Sequence, residues 1–536
     1  MANKRIVILG GGFAGVYTAI YLEKFIKPSD EIEVALVNRE NYFVYQPMLP
    51  EVVGGSLDIL DTVSSIRKLT PKTRLFIREI DHVDLENKQV ILSPQFSHKP
   101  LTLKYDHLVV TLGNVTDFRG MVGIHEHALP FKNLADALQI RNRIIEALEG
   151  ASASDDPEWR RQLLSFVVGG GGFSGTEVVA EINDLVRSLA KQYPRINQDE
   201  ISVHLIHSKD RLMERELSAS LSLYAQKILQ KRGVNIHFGV HLKAATPNEA
   251  ILDNGEKIST KTIISTVPSS PNPIVETLNV PQIKGHIETD ATMLVKGSDH
   301  LWSAGDCSAI PNVATGEGYC PPTAQFAIRE AKVLAKNIIA TIKGNKRQEF
   351  KFKALGMMGA LGHHSAVAEL FGKIKFSGLF AWIFWRMVYW MKLPGISRKI
   401  KVAFSWLLDS IIPLEAVQLK LAPSQGIAKL HFEPGEIIFH EGDIGDYLYI
   451  IVDGQVEVFQ ERDGQKNVVS TLDAGAYFGE MALLNQRTRS ATVACTKPTN
   501  LLALRKSDFG MLVSNFAPLG ESIQATEKER REKLES

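Results

Sequence analysis

Apolar runs and glycines alternate along this chain in a pattern that occurs twice. Ile6-Val7-Ile8-Leu9 leads into Gly10-Gly11-Gly12-Phe13-Ala14-Gly15, and apolar-periodic positions then run from Val16 to Ile26. Phe166-Val167-Val168 leads into Gly170-Gly171-Gly172-Phe173-Ser174-Gly175, with a second periodic stretch from Val178 to Leu189. A short apolar run reads as a buried strand, and a 3.6-residue period reads as a helix. Each loop therefore has the strand–turn–helix setting that gives GxGxxG its meaning. The first Gly permits a tight turn, the second lets backbone N–H groups approach a pyrophosphate, and the third lets helix pack on strand. The helix N-terminus adds partial positive charge toward the diphosphate. One such loop is weak, because glycine clusters often only build turns. Two in the same register imply two dinucleotides in one protein and electron transfer between them.

Each unit continues into a second strand, Ile32 to Val37 and Val203 to Ile206. An acid commonly ends that strand and binds a ribose hydroxyl. Here the ends are Asn38-Arg39-Glu40 and His207-Ser208-Lys209. Asn38 accepts a hydrogen bond without charge, and Arg39 either stacks on an adenine or belongs to a polar turn. With no carboxylate at His207, a 2′-phosphate is tolerated, so NADH is the default and NADPH stays open. Short strands are expected at 74–81, 89–92 and 108–112, the last ending at Gly113. A linker is expected at 151–156 and a helix from Thr323 to Lys343. Leu301-Trp302-Ser303-Ala304-Gly305-Asp306 reads as a strand, with Asp306 either capping a turn or holding flavin hydroxyls.

The pattern changes after residue 370. Trp382, Trp385, Trp390 and Trp406 alternate with Phe376, Phe380, Phe384, Tyr389 and Phe404. The basic residues are Lys373, Lys375, Arg386, Lys392, Arg398, Lys399 and Lys401, with no acid between Lys373 and Lys401. The longest uncharged run, Phe376 to Trp385, is about half of the roughly 18–20 residues a spanning helix needs. Ile396, Ile400, Ala403, Leu407 and Ile411 share one helical face, opposite Lys401 and Ser405. Basic, aromatic and amphipathic together describe helices lying in a membrane interface. The competing reading is a buried hairpin or dimer contact, in which so many unpaired basic residues would be unusual.

From Ala428 the elements become short strands (436–440, 447–452, 456–460, 468–472) punctuated by Gly435, Gly442, Gly445, Gly454, Gly464 and Gly475. That spacing predicts a small β-barrel or jelly roll. Within it, Phe478-Gly479-Glu480-Met481 precedes Arg487-Thr488-Arg489-Ser490. Glu480 can accept from a ribose hydroxyl and Arg489 can pair with a phosphate.

Composition narrows the class. The 536 residues are 44% hydrophobic and 23% charged with a net charge of +1. Nothing in that balance suggests a nucleic-acid partner. Cys307, Cys320 and Cys495 form no CxxC, which disfavours a metal knuckle or redox dithiol and fits a reducing compartment. No metal site is expected, and the adjacent His363-His364 pair does not make one. The first strand begins by Ile6, leaving no room for a signal peptide, so the glycine-loop half is expected in the cytosol.

Taken together, residues 1–420 resemble the type II NADH dehydrogenases, membrane-bound NADH:quinone oxidoreductases that carry FAD. The matching residues are both glycine loops, Asn41 to Pro47, Thr111-Leu112-Gly113, Gly305-Asp306, Pro321 to Ala327, and the stretch from Gly378 to Leu419. Residues 428–515 are similar to cyclic-nucleotide-binding domains. The expected fold is α/β, with two Rossmann-like dinucleotide-binding domains as in disulfide-reductase-like flavoproteins, an amphipathic helical membrane-docking segment and the C-terminal barrel. The expected bounds are 1–115 and 283–345 for the FAD-binding domain, 116–282 for the NAD(P)H-binding domain, and 346–420 for the helical membrane-associated segment. The cyclic-nucleotide-binding-like domain takes 421–520 and a charged tail 521–536.

The resemblance implies that Gly10, Gly12, Gly15, Asn38, Arg39, Gly113, Gly305, Asp306, Ala324 and Gln325 face FAD. It places Gly170, Gly172, Gly175, Glu177 and His207 toward NADH or NADPH, and Gly479, Glu480, Arg489 and Ser490 toward cAMP or cGMP. Gln325 and Arg329, one helical turn apart, are the expected quinone end, with Arg329 replacing the family's second Gln. Gln325 would donate to a quinone oxygen and Arg329 would stabilise the anion formed on reduction. Glu177 either orients the carboxamide or relays a proton, or is a helix-start acid favoured by the dipole. A peripheral position on the cytoplasmic face of the inner or plasma membrane and a homodimer through the C-terminal helices follow by resemblance. Two alternatives remain: a flavoprotein reductase with a non-quinone acceptor such as sulfide or a dithiol, and a soluble redox or second-messenger sensor with slow turnover.

Overall fold

In the computed structural model, the residues described are 4–94, 100–116, 121–214, 216–266, 269–316, 318–419, 427–443, 445, 447–462, 465–484, 488–505, 526, 528 and 530. Gly464, Arg487 and most of the 521–536 tail lie outside them. Two compact units divide the chain, residues 1–93 with 101–419 and residues 94–100 with 420–536.

Two five-stranded parallel sheets organise the first unit. One has the order 301–303, 107–110, 4–9, 32–38, 74–77, and the other 128–130, 262–265, 165–169, 202–207, 234–238. Their central strands are buried on both faces, so Ile6 to Leu9 and Phe166 to Val168 read as unbroken apolar runs. The glycine loops feed helices Phe13–Phe25 and Phe173–Ala190. The helix Ala324–Ile342 packs on the first of these. Residues 151–156, expected as a linker, are helical as far as Ala153, because the helix Leu134–Ala153 buries Ile140, Ile144, Leu148 and Ala151. The single strand expected at 74–81 divides into Arg74–Ile77 and Ile80–Asp84, which belong to different sheets.

The region 346–420 is not helical throughout. It opens with a three-stranded antiparallel sheet (356–360, 366–370, 374–378), and only then come helices Leu379–Lys392 and Ile396–Asp409. Within the first unit, Arg386 ties these helices to the segment around Glu51. Arg386 Nε and Nη2 both donate to Glu51 Oε1, at 3.1 and 2.9 Å, and Trp406 Nε1 donates to Glu51 Oε2 at 3.2 Å. The Arg386 guanidinium lies 4.0 Å from the Trp382 ring and 4.8 Å from the Trp406 ring. Glu51 is almost fully buried. Two of the basic residues expected on the outer surface are therefore turned inward, since Arg398 also faces Asp61 at 4.0 Å and donates to the Leu60 carbonyl. The opposite faces carry Phe380, Ile396, Ile400, Phe404, Leu407 and Ile411, all more than half exposed. No helix among the described residues is long and apolar enough to cross a membrane.

The second unit contains two four-stranded antiparallel sheets, 427–432, 499–505, 447–453, 477–478 and 437–439, 492–495, 455–462, 465–473. Tyr449, Ile451, Val456, Phe478, Val493 and Leu501 are buried together in its core. The helix Glu480–Leu484 follows Gly479 directly.

Arg386→Met strands the Glu51 carboxylate and is expected to lower urea-unfolding stability by roughly 3–5 kcal/mol. The double variant Glu51→Gln/Arg386→Met should recover most of that loss.

Candidate functional site

Both glycine loops open on one cavity of about 1480 Å³ in the first unit. The loops have the same construction. Gly10 and Gly170 hold φ of +100° and +114°, values that L side chains rarely adopt. A Cβ on Gly15 would sit 1.9 Å from the Gly10 carbonyl oxygen, and one on Gly175 would sit 1.7 Å from that of Gly170. The third glycine of each motif is thus demanded by backbone packing within the protein. The second is not. A Cβ on Gly12 would meet nothing within 4 Å, and one on Gly172 only Glu216 at 3.8 Å. Space there is kept for something outside the chain. Gly12 and Gly172 are also helix N-caps without a side-chain capping bond, and neither helix has an acid in its first turn. The first-turn N–H groups are left for an anion.

The ends of the second strands fasten the loops. Gly11 N–H donates to Asn38 Oδ1 at 2.8 Å, and Gly171 N–H donates to His207 Nδ1 at 3.2 Å. His207 Nδ1 accepts, so the ring proton is on Nε2, which donates to the Arg211 carbonyl at 3.0 Å. Burial lowers the His207 pKa, in keeping with that neutral tautomer. Asn38 and Arg39 line the cavity wall, whereas His207 stands behind its loop as a fastener.

Gly10, Gly12, Gly113, Gly172, Gly175, Glu177, Gly305, Asp306, Ala324, Gln325 and Arg329 are brought to this one cavity. Gln325 Nε2 donates to the Gly356 carbonyl at 3.4 Å. Arg329 donates to the Gln325 carbonyl at 2.8 Å, and its guanidinium lies 4.2 Å from the Phe352 ring. Glu177 is buried and its Oε1 accepts from the Ala360 N–H at 2.9 Å. Burial pushes its carboxyl up to about 8, against the pull of that hydrogen bond, and the Glu51 charge adds to the rise. Asp306 is raised by burial as well.

Other residues at or behind the cavity wall stand outside the sequence motifs. Glu330 holds the Gly305 N–H at 2.9 Å, and burial raises its carboxyl to about 7. An acid on the apolar face of an amphipathic helix was the available clue. Lys132, Lys392 and Tyr389 line the cavity. Asn114 Oδ1 and Thr323 Oγ1 are buried at the wall without a hydrogen-bond partner among the described residues, as expected where a polar ligand supplies one. Cys307 and Cys320 are free and unpaired with each other, and burial raises the Cys320 thiol to about 12, so neither offers a thiolate. His363 accepts from or donates to Ser56 Oγ at 2.9 Å, and His364 packs against Trp382, which gives both histidines structural contacts.

In the second unit, Gly479, Glu480, Arg489 and Ser490 share a separate cavity of about 410 Å³. Arg489 donates to the Gly479 and Tyr447 carbonyls, each at 2.8 Å, and its guanidinium lies 4.1 Å from the Phe439 ring.

Residues 4–331 match the family model of the pyridine nucleotide-disulphide oxidoreductases, residues 355–412 that of the NDH2 C-terminal domain, and residues 429–516 that of the cyclic nucleotide-binding domain. The chain is 30% identical over 422 residues to the type II NADH:quinone oxidoreductase NdhA of Mycobacterium tuberculosis, a match that covers 75% of this chain and 86% of that one. It is 27% identical over 377 residues to the type II NADH:quinone oxidoreductase of Staphylococcus aureus, covering 69% and 90%. Among solved structures, NDH2 of Plasmodium falciparum in complex with NADH shares the fold, with a TM-score of 0.70 at 19% identity, over 77% of this chain and 99% of that one.

The Glu177 pKa near 8 has a direct consequence for stability. Its folded value lies above the 4.5 of a free glutamate, so the native state binds the extra proton. The associated stability is fully present below that lower value and is lost as pH rises through the upper one. From about pH 5 to about pH 8 the wild type is expected to lose roughly 3 kcal/mol more than Glu177→Gln in urea titrations. The infrared carboxylic-acid absorption at neutral pH should lose one component in the variant.

Proposed function

This chain belongs to the type II NADH:quinone oxidoreductase family, and we propose that it oxidises NADH with FAD as cofactor and passes the electrons to a membrane quinone without pumping protons. The observation that carries this reading is the single cavity onto which both glycine loops open. FAD, when bound, would supply hydride acceptance from the nicotinamide and two-electron donation to the quinone.

The first loop fits FAD. The open space at Gly12 takes the diphosphate, Asn38 and Arg39 flank the adenosine end, and Asp306 with the unpartnered Thr323 and Asn114 offers hydrogen bonds to the rest. The second loop, at Gly172, takes the nicotinamide nucleotide. NADH is the default donor, and with neutral His207 at the strand end no carboxylate there repels a 2′-phosphate. Glu177 is protonated at neutral pH and lies on the wall that both nucleotides share, which suits it to donate a hydrogen bond or release a proton there. Gln325 and Arg329 form the quinone end. The Arg329 cation, held by its own helix and Phe352, stabilises negative charge as the quinone is reduced.

The helical hairpin seats the enzyme on a membrane as a peripheral protein, on the cytoplasmic face. Phe380, Ile396, Ile400, Phe404 and Ile411 present an apolar surface, with exposed Lys373, Lys375 and Lys401 beside it. A second copy packed against the same helices is the arrangement for a dimer. The second unit binds a cyclic nucleotide, cAMP or cGMP, through Glu480, Arg489 and the Gly479 turn, and regulates the enzyme.

Gly12→Val is the sharpest test of the cofactor site. The backbone at Gly12 is extended, with φ −78° and ψ −165°, and the site has room for a side chain, so the polypeptide should fold. The purified variant is expected to lack flavin absorbance, to melt with flavin-stripped wild type, and to show no NADH-dependent quinone reduction. A variant that retains flavin and turnover overturns the assignment of the first loop.

Membrane docking is checked by vesicle flotation with anionic lipid. Ile400→Asp/Phe404→Asp should reduce partition by about tenfold or more, since each charge at such a depth costs on the order of 2 kcal/mol or more. Soluble-quinone activity should be unchanged.

A further inference from the structure

The sheet formed by residues 356–360, 366–370 and 374–378 has a hairpin turn whose conformation and sequence conflict. Lys373 N–H donates to the Leu370 carbonyl at 3.0 Å, so Phe371 and Gly372 are the two central residues of a tight turn. Their φ values are +54° and +67°. Such a turn favours Asn, Asp or Gly followed by Gly, because a left-handed backbone crowds any larger side chain. Gly372 meets that requirement and Phe371 does not. Packing does not hold the Phe371 ring there either, since the residue is 65% exposed. Ile374, one position past the turn, is 55% exposed. Phe371 N–H donates to the Leu355 carbonyl at 2.9 Å, which brings Leu355, 43% exposed, to the same end of the sheet.

The free charges around this tip have one sign. Lys353, Lys373 and Lys375 are exposed. Glu369 is the one acid between Lys353 and Lys375, and its carboxylate accepts the Ser218 N–H at 3.1 Å. An aromatic and aliphatic knob ringed by lysines suits the headgroup level of an anionic bilayer. There the apolar side chains meet acyl chains and the ammonium groups meet phosphates. The tip is also continuous with the helical hairpin. The strand Ile374–Gly378 runs directly into the helix Leu379–Lys392, and the Phe376 ring lies 5.4 Å from that of Phe380.

Resting on the reading of the helical hairpin as the membrane seat, we propose that Phe371, Ile374 and Leu355 form a second lipid-inserting contact, held to anionic headgroups by Lys353, Lys373 and Lys375. The left-handed turn keeps the Phe371 ring pointed away from the protein, a place that neither turn chemistry nor burial accounts for.

The test is flotation of the full-length protein with vesicles of phosphatidylcholine alone and of phosphatidylcholine mixed with phosphatidylglycerol. Phe371→Gly suits the turn and removes the ring. It is expected to melt no earlier than wild type and to partition onto the mixed vesicles about tenfold less, the range for burying one aromatic side chain. Phe371→Trp should partition at least as well as wild type. Lys373→Gln/Lys375→Gln should lose about tenfold or more on the mixed vesicles and little on phosphatidylcholine alone. A Phe371→Gly variant that floats as wild type does overturns the assignment. So does one that melts earlier, because the ring then serves the fold. Unchanged flotation with an altered sedimentation coefficient in the absence of lipid also overturns it, and marks the tip as a protein contact. If Ile400→Asp/Phe404→Asp loses partition while Phe371→Gly keeps it, the helices dock and the tip does not. Wild type floating with neither vesicle removes the membrane reading itself, and the assignment falls with it.

Discussion

The first unit depends on the close approach of two carbonyl oxygens to two helices. The Gly10 and Gly170 oxygens occupy the space that a Cβ at positions 15 and 175 would need. Any side chain there would lift each helix off its strand, and with it the helix N-terminus that faces the cavity. Overpacking of this kind typically costs about 1–3 kcal/mol in stability. Its larger effect would be geometric. The first-turn N–H groups would no longer point at the space beside Gly12 and Gly172. Packing and ligand binding thus place different demands on residues three apart in the same motif.

The two loops also share a fastening that their second strands provide by different chemistry. Asn38 uses an amide oxygen and His207 an imidazole nitrogen, yet each accepts the N–H of the glycine before the N-cap. In both places a neutral acceptor stands at the strand end where a carboxylate is the common choice. The loop conformation is kept and a negative charge is left out.

Local pattern made most of this architecture readable in advance. The strands at 4–9, 89–92 and 202–207 and the helix at 324–342 fall where apolar periodicity predicts them, because each buries a face whose period is written in consecutive residues. The glycine loops were readable for the same reason. Glu51 and Arg386 were not, since they are 335 positions apart and nothing near either residue announces the other. Seen locally, Arg386 is one more surface cation in a basic aromatic stretch. Glu330 and the inward-turned Arg398 are likewise explained only by tertiary partners. The sheet at 356–378 has no such signature, because its Gly- and Ala-rich strands lack the alternation that marks a half-buried strand.

Carboxyl groups are unusually concentrated in this interior. Glu177, Glu181, Asp306 and Glu330 all have their proton affinity raised, chiefly by burial, and for Glu177 and Glu330 the values fall near 8 and 7. Glu177 and Glu330 are thereby placed to exchange a proton close to neutral pH. Negative charge arriving in the cavity would raise the Glu177 affinity further and favour its neutral form. A buried carboxyl kept neutral repels an added negative charge less than an ionised one would.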